Sequence, residues 1–303
     1  MAEKLAVPGT GTDAYAPDVA PRTPPSMRAR AKGYLRLTHP FPVAANAVAA
    51  VAFGAVAARG WPGGRIALLL ALAIIGSQAT VGVVNDLRDR DLDAAEKPHK
   101  PLVSGRVSVP GAYVLGAVML ALALVAGAAL GPVSVPFVLA MTAAGVVYDL
   151  WLKRTAASFV PYIFGLPLLP IWAWVCVRDA PPRLWLTYPL GVLVGFGLHL
   201  ANALPDAERD ARGGVRGLVQ VAGTRAALAG CFGSFAATLA VAVALTWGHA
   251  GALAGTLFAL AAALVCVALV LAMVRLTAAT LQRNWGLLIG CAICLAVGWL
   301  ASL

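Results

Sequence analysis

Long apolar runs separated by short polar segments fill the chain from about residue 39 onward. A membrane-spanning α-helix needs about 20 apolar residues. Runs of that order cover residues 39–60, 65–84, 109–130, 132–149, 159–177, 184–204, 225–248, 252–274 and 284–303. The pattern therefore predicts an all-α, polytopic transmembrane bundle of about nine helices. Pro161, Pro167, Pro170 and Pro189 are expected to kink or interrupt the fifth and sixth runs.

The composition supports a protein that is embedded in membrane lipid. Of the 303 residues, 60% are hydrophobic and only 12% are charged, and the mean hydropathy is +0.83. This leaves too little polar surface to cover a soluble globule. The first residues differ, because they are rich in Pro, Gly and Ala and contain no apolar core of a signal peptide. We expect residues 1–26 to form a disordered cytoplasmic tail and residues 27–303 to form the membrane domain.

The net charge of +10 is distributed as a topology signal. Nineteen of the 23 Lys and Arg residues fall in the N-terminal tail or in alternate loops on one side of the predicted bundle. The other side carries only Arg59, Arg65, Arg178 and Arg183. The positive-inside rule then places the N-terminus in the cytoplasm of a multi-pass plasma-membrane protein. We expect no nucleic-acid partner, and nothing in the sequence implies a protein partner.

Two acidic segments with the same spacing follow the second and sixth apolar runs. The first acidic row is Asn85, Asp89 and Asp93, and the second acidic row is Asn202, Asp206 and Asp210. Residues four apart lie on one face of a helix. Because four spans separate the rows, both emerge on the same, cytoplasmic, face of the membrane.

The residue types in these rows suit divalent metal and phosphate chemistry. Carboxylate oxygens are the ligands that Mg²⁺ prefers, and bound Mg²⁺ would neutralise a diphosphate and make it a leaving group. A solvated helix end is the ordinary alternative for a single acid, and it is the expectation for Asp91, Asp149 and Glu208. Chance does not readily repeat the whole pattern on one face of a chain with 13 acids.

Several side chains near the rows have two possible roles. Lys97, Lys100, Lys153 and Arg154 are either membrane-interface anchors or contacts to substrate phosphates, and the two roles are compatible. His199 either points towards the second row or packs in the core. Six aromatic residues could present their faces to a carbocation, and only Tyr148 is expected to do so: Tyr148, Trp151, Phe159, Tyr162, Phe164 and Phe196. Gly191 and Gly195 predict close helix packing.

At these residues the chain resembles the UbiA superfamily of intramembrane prenyltransferases. Asn85 to Asp93 matches the family's N-D-x-x-D-x-x-x-D signature, and Asp206 and Asp210 match its D-x-x-x-D signature. The segment Lys97 to Arg106 is similar to the family's R-P-L-x-S-G-R loop, with Lys100 where Arg is common. Two departures are Gly217, where Ser or Thr is common, and the four residues that separate Tyr148 from Lys153, where the family often has three.

The resemblance implies a central cavity capped by the two Asp-rich loops, and a Mg²⁺-dependent transfer of a prenyl group from a polyprenyl diphosphate to a small, aromatic acceptor. It implies that each row binds one Mg²⁺ and that Asp86 supports the first. Asp89, Asp93, Asp206, Asp210 and Tyr148 would be catalytic. The diphosphate contacts would be Lys97, Lys100, Lys153 and Arg154.

Two other functions remain open from the sequence. Some UbiA-like proteins are terpene cyclases, which ionise the same diphosphate without an acceptor. A transporter is the alternative from another class, since polytopic chains with acids in the membrane often carry ions. Transport predicts acids near the bilayer midplane, whereas the acids here lie at helix ends. The enzyme is therefore preferred.

Overall fold

The computed structural model describes residues 25–303, so the expected disordered tail lies outside the described residues except for its last two positions. The described chain is helical and contains no strand. The α-helices are α1 Met27–Leu37, α2 Pro40–Ala58, α3 Gly64–Arg88, α4 Arg90–Glu96, α5 Val109–Leu130, α6 Ser134–Val147, α7 Val160–Gly165, α8 Leu168–Val175, α9 Thr187–Ala203, α10 Ala207–Arg212, α11 Leu218–Ala222, α12 Thr224–Thr246, α13 Ala252–Val274 and α14 Ala278–Ala301. A π-helical turn at Tyr148–Leu152 follows α6, and 3₁₀ turns at Pro182–Leu186 and Leu204–Asp206 flank α9.

The predicted transmembrane bundle is confirmed. Among the described residues, eight helical segments are long and apolar enough to cross a membrane, and a shorter apolar segment covers Val160–Val175. This ninth segment is divided into α7 and α8 just before Pro167, as expected from a residue that lacks a backbone N–H. Pro189 does not interrupt α9, because it lies in the first turn, where the amides have no partner within the helix.

The buried side chains form two large clusters. One lies mainly between α2, α3, α5, α6 and α8, and the other lies between α9, α12, α13 and α14. At the contact of α3 with α5, a Cβ on Gly76 would lie 2.6 Å from the backbone nitrogen of Ala123, so this crossing requires glycine. The end of α14 joins the clusters, since Trp299 donates a hydrogen bond to Thr187 at 2.9 Å.

Close packing around α9 positions the helix that carries Asn202. A Cβ on Gly191 would lie 2.7 Å from the Pro167 side chain, and one on Gly195 would lie 2.7 Å from the Tyr162 carbonyl oxygen. These contacts confirm the expected role of both glycines in close helix packing. They bring α9 directly against the broken α7–α8 segment.

Three of the four arginines predicted on one side of the bundle bind the last turns of spanning helices. Arg65 donates to the carbonyl of Ala129 at 3.3 Å, Arg178 to that of Ala57 at 3.2 Å, and Arg183 to that of Leu245. The last carbonyls of a helix have no partner within it and carry partial negative charge. These arginines therefore satisfy helix ends opposite the acidic rows.

Candidate functional site

The first acidic row crosses a junction between two helices. Helix α3 ends at Arg88 and α4 begins at Arg90, with Asp89 between them. The Asp89 amide donates to the Asn85 carbonyl at 2.9 Å, and the Asp93 amide donates to the Asp89 carbonyl at 2.8 Å. These four-residue hydrogen bonds continue through the junction, so the predicted spacing is preserved along this row.

The second row departs from a single continuous helix. Asn202 lies at the end of α9, Asp206 ends the 3₁₀ turn, and Asp210 lies in α10. Pro205 explains the change, because it cannot donate the backbone hydrogen bond that would continue α9. This row is also more open: the Asp206 side chain is 47% exposed, whereas that of Asp93 is 6% exposed.

Two lysines from the loop after α4 neutralise the buried acids of the first segment. The Lys100 ammonium lies 2.8 Å from Asp86 Oδ1 and 2.6 Å from Asp93 Oδ2, and Lys97 lies 3.4 Å from Asp93. Burial alone would lower the pKa of Lys100, but hydrogen bonds and charge attraction from the two carboxylates outweigh it and raise that pKa above its ordinary value. Lys100 therefore stays charged near neutral pH.

Lys153 and Arg154 contact the first row. Lys153 contacts Asp89 at 2.7 Å, and Arg154 contacts it at 3.7 Å. Both basic groups also act electrostatically on Asp210 of the second row. Within the second row's own helix, Arg209 lies 3.0 Å from Asp206. The predicted phosphate contacts are thus grouped with the predicted metal ligands.

The π-helical turn accounts for the spacing between Tyr148 and Lys153. The Lys153 amide donates to the Tyr148 carbonyl at 2.8 Å, which is the five-residue hydrogen bond of a π-helix. Such a turn accommodates one extra residue and keeps its two ends in register. Tyr148 and Lys153 therefore occupy the same relative positions as two residues that are four apart in a regular α-helix.

Asp149 was expected to be solvated, and this expectation is wrong. The side chain is buried, and Asp149 Oδ1 accepts a hydrogen bond of 2.7 Å from the Asn85 amide. Lys153 lies 3.9 Å from the same oxygen. The sequence around Asp149 does not indicate the Asn85 contact, because Asn85 lies on α3, 64 residues earlier in the chain.

Aromatic side chains connect this turn to the second row. The rings of Tyr148 and Tyr162 meet edge to face at 5.6 Å, and the Asn202 amide donates to the Tyr162 hydroxyl at 3.3 Å. From the sequence, Tyr162 is only one of several aromatic candidates. The side chains of Trp151 and Phe164 are exposed. Tyr162 therefore links Tyr148 to the second row.

Basic residues that the sequence pattern does not connect with the acids lie near Asp86. A pocket of about 290 Å³ is lined by Arg36, His39, Asp86, His99, Lys100 and Pro101. His39 has a left-handed backbone (φ 52°), and its Nε2 lies 3.2 Å from Asp86 Oδ1. Basic residues just before the first span are ordinary topology signals, so only the fold places them beside the acids.

The residues present suit Mg²⁺ in their donor chemistry. Both rows offer oxygen ligands, and buried carboxylates of the first segment are already balanced by the ammonium groups of Lys100 and Lys153. Within residues 25–303, no three or more Asp, Glu, His or Cys side chains are spaced to hold one ion. In the first segment, carboxylates contact ammonium groups instead.

Comparison with known proteins agrees on family and fold. A bacteriochlorophyll synthase 33 kDa chain from Cereibacter sphaeroides is 29% identical over 223 residues, which cover 68% of this chain and 73% of that protein. A digeranylgeranylglyceryl phosphate synthase from Methanoculleus marisnigri is 29% identical over 165 residues, covering 52% and 57%, and a 4-hydroxybenzoate octaprenyltransferase from Haemophilus ducreyi is 27% identical, covering 53% and 59%. The matched region thus spans less than two thirds of the length of these last two relatives.

A UbiA homolog from Archaeoglobus fulgidus, solved bound to GPP and Mg²⁺, has the same fold with a TM-score of 0.69. It is 20% identical, and the match covers 89% of this chain and all of the homolog. The family model described as the UbiA prenyltransferase family matches residues 46–295, which is most of the sequence. The chain therefore belongs to the UbiA prenyltransferase family.

Proposed function

We propose that this protein transfers a prenyl group from a polyprenyl diphosphate to a small aromatic acceptor, in a Mg²⁺-dependent reaction that releases diphosphate. The observation that carries the proposal is the grouping of both acidic rows with Lys153 and Arg154 at one end of an apolar bundle. Relatives support the chemistry, since structures of the Archaeoglobus fulgidus homolog are bound to GPP or DMAPP with Mg²⁺.

The two rows would hold the metal. The ligands of one Mg²⁺ would be Asn85, Asp89 and Asp93, with Asp86 in support, and those of the other would be Asn202, Asp206 and Asp210. Bound Mg²⁺ supplies Lewis-acid stabilisation of the departing diphosphate. The active-site loops would face the cytoplasm, and the protein would be a multi-pass protein of the plasma membrane, as the basic residues indicate.

The basic side chains would grip the diphosphate. Lys100 and Lys153 contact carboxylates at 2.6–2.8 Å, and these ammonium groups would turn to phosphate oxygens when metal takes over the carboxylates. Lys97 and Arg154 would add contacts from the more exposed side of the site. Tyr148 would orient the leaving group or the prenyl chain. The apolar bundle excludes water, which would otherwise quench the allylic cation.

The test is Mg²⁺-dependent diphosphate release by the purified protein in lipid nanodiscs, with geranyl, farnesyl or geranylgeranyl diphosphate and a panel of phenols. Two single variants each remove one carboxylate, Asp89→Asn in the first row and Asp206→Asn in the second. Each variant should release diphosphate more slowly by on the order of 100-fold or more. Asp91→Asn is the matched control, because Asp91 belongs to the same segment but is exposed.

The products, identified by mass spectrometry, separate the proposed transfer from other reactions. Prenylated phenols are the expected products. A cyclic hydrocarbon or alcohol formed without any acceptor would show that the reaction is cyclisation and not prenyl transfer. Undiminished release by the double variant of Asp89 and Asp206 would reject the metal-binding role of both rows.

A further inference from the structure

The core around α9 contains one histidine whose hydrogen bonding is incomplete. His199 is 2% exposed, and its Nε2 lies 3.0 Å from the hydroxyl of Ser158, which is also buried. Its Nδ1 is buried and has no hydrogen-bond partner among the described residues. Because burying an unpaired polar nitrogen costs free energy, buried polar atoms are normally paired. This atom is therefore suited to a ligand.

His199 lies next to the site proposed for prenyl transfer. It precedes Asn202 on α9 by three residues, which places it about 4.5 Å further from the second row along the helix axis. Its ring meets that of Tyr162 edge to face at 5.0 Å, and the Tyr162 hydroxyl accepts from Asn202 at 3.3 Å. One aromatic ring thus separates the free imidazole nitrogen from a proposed metal ligand.

The hydrogen-bonding partner of Nδ1 can be assigned to a chemical class. If Nε2 donates to Ser158, Nδ1 is an acceptor; if Ser158 donates to Nε2, Nδ1 carries the proton and is a donor. A hydroxyl group satisfies both arrangements because it donates and accepts. A carboxylate satisfies only the second arrangement.

We infer that His199, oriented by Ser158, binds a hydroxyl group of the acceptor. This inference rests on the proposed function and names an acceptor-binding residue of the same site. Ser158 is a positioning residue, since it acts through the imidazole.

The test measures the KM of the wild type and its variants for a phenolic acceptor, methyl 4-hydroxybenzoate. His199→Ala should raise the KM for the ester by about tenfold, the loss of one hydrogen bond. Ser158→Ala should raise it by less. Ser234→Ala is the matched control, because Ser234 is also buried and packs on α9 at Gly197.

A second readout distinguishes acceptor binding from a structural defect. The dissociation constant for geranyl thiodiphosphate with Mg²⁺ should stay within about twofold in both variants. If His199→Ala does not fold, His199→Asn and Ser158→Ala carry the same comparison. An unchanged KM for the ester in the folded variants would overturn the inference while prenyl transfer itself stands. Failure of the wild type to release diphosphate would instead reject the proposed function, and the acceptor site with it.

Discussion

Lys100 is the residue on which the balance of charge in the first acidic segment depends most. Its ammonium lies between Asp86 and Asp93, whose side chains are 3% and 6% exposed, and it is itself 20% exposed. Two carboxylates this deeply buried are unfavourable without a cation. Under the proposed function, the same ammonium group would also bind the diphosphate.

We predict that Lys100→Met destabilises the protein by roughly 2–3 kcal/mol in EDTA, because it leaves buried carboxylates underneutralised. Lys97→Met should cost less than about 1 kcal/mol, because Lys97 is 48% exposed and its ion pair with Asp93 is screened by solvent. Thermal unfolding in detergent measures both changes.

Mg²⁺ should restore more of the lost stability in Lys100→Met than it adds to the wild type, since it can replace the missing positive charge. Equal destabilisation by the two substitutions, or no greater response of Lys100→Met to Mg²⁺, would contradict this account of the first segment.

At the scale of elements, the site depends on how closely α9 approaches α7. Gly191 and Gly195 bring α9 against Pro167 and Tyr162, and the same helix carries His199 and Asn202 towards the site. In a bilayer, small residues strengthen helix association by allowing backbones to come close. The contact of Tyr162 with Asn202 of the second row depends on this close approach.

Gly195→Ala should therefore destabilise the protein by about 1–3 kcal/mol, because the added Cβ would press on the Tyr162 carbonyl. Gly233→Ala on α12 is the matched control: a Cβ there meets no atom within 4 Å, so the change should be neutral or slightly stabilising. The melting temperatures of the two variants in the same detergent decide between them. A tolerated Gly195→Ala and a harmful Gly233→Ala would show that the α7–α9 contact is not the critical one.

For the whole molecule, apolar length and repeated spacing were the predictable features. The runs of apolar residues predicted the spanning segments because a bilayer sets the required length, and Pro167 predicted the break between α7 and α8. The repeated four-residue spacing indicates both rows from the sequence alone.

The remaining features depend on contacts between distant segments. Burial of Asp149 requires Asn85 from α3, and the pocket beside Asp86 requires His39 from the start of α2. Neither partnership leaves a local pattern in the sequence. The π-helical turn appeared in the sequence only as an extra residue between Tyr148 and Lys153, and Pro205 shows that a four-residue spacing does not guarantee one continuous helix.

The most direct measurement of the central claim is a crystal structure with Mn²⁺ in place of Mg²⁺ and geranyl thiodiphosphate as a slowly reacting substrate. Anomalous scattering locates each Mn²⁺ ion independently of the protein. We predict one ion at Asp89 and Asp93, another at Asp206 and Asp210, and a single diphosphate that bridges them. Ions found at only one row, or a diphosphate that contacts neither row, would contradict the account.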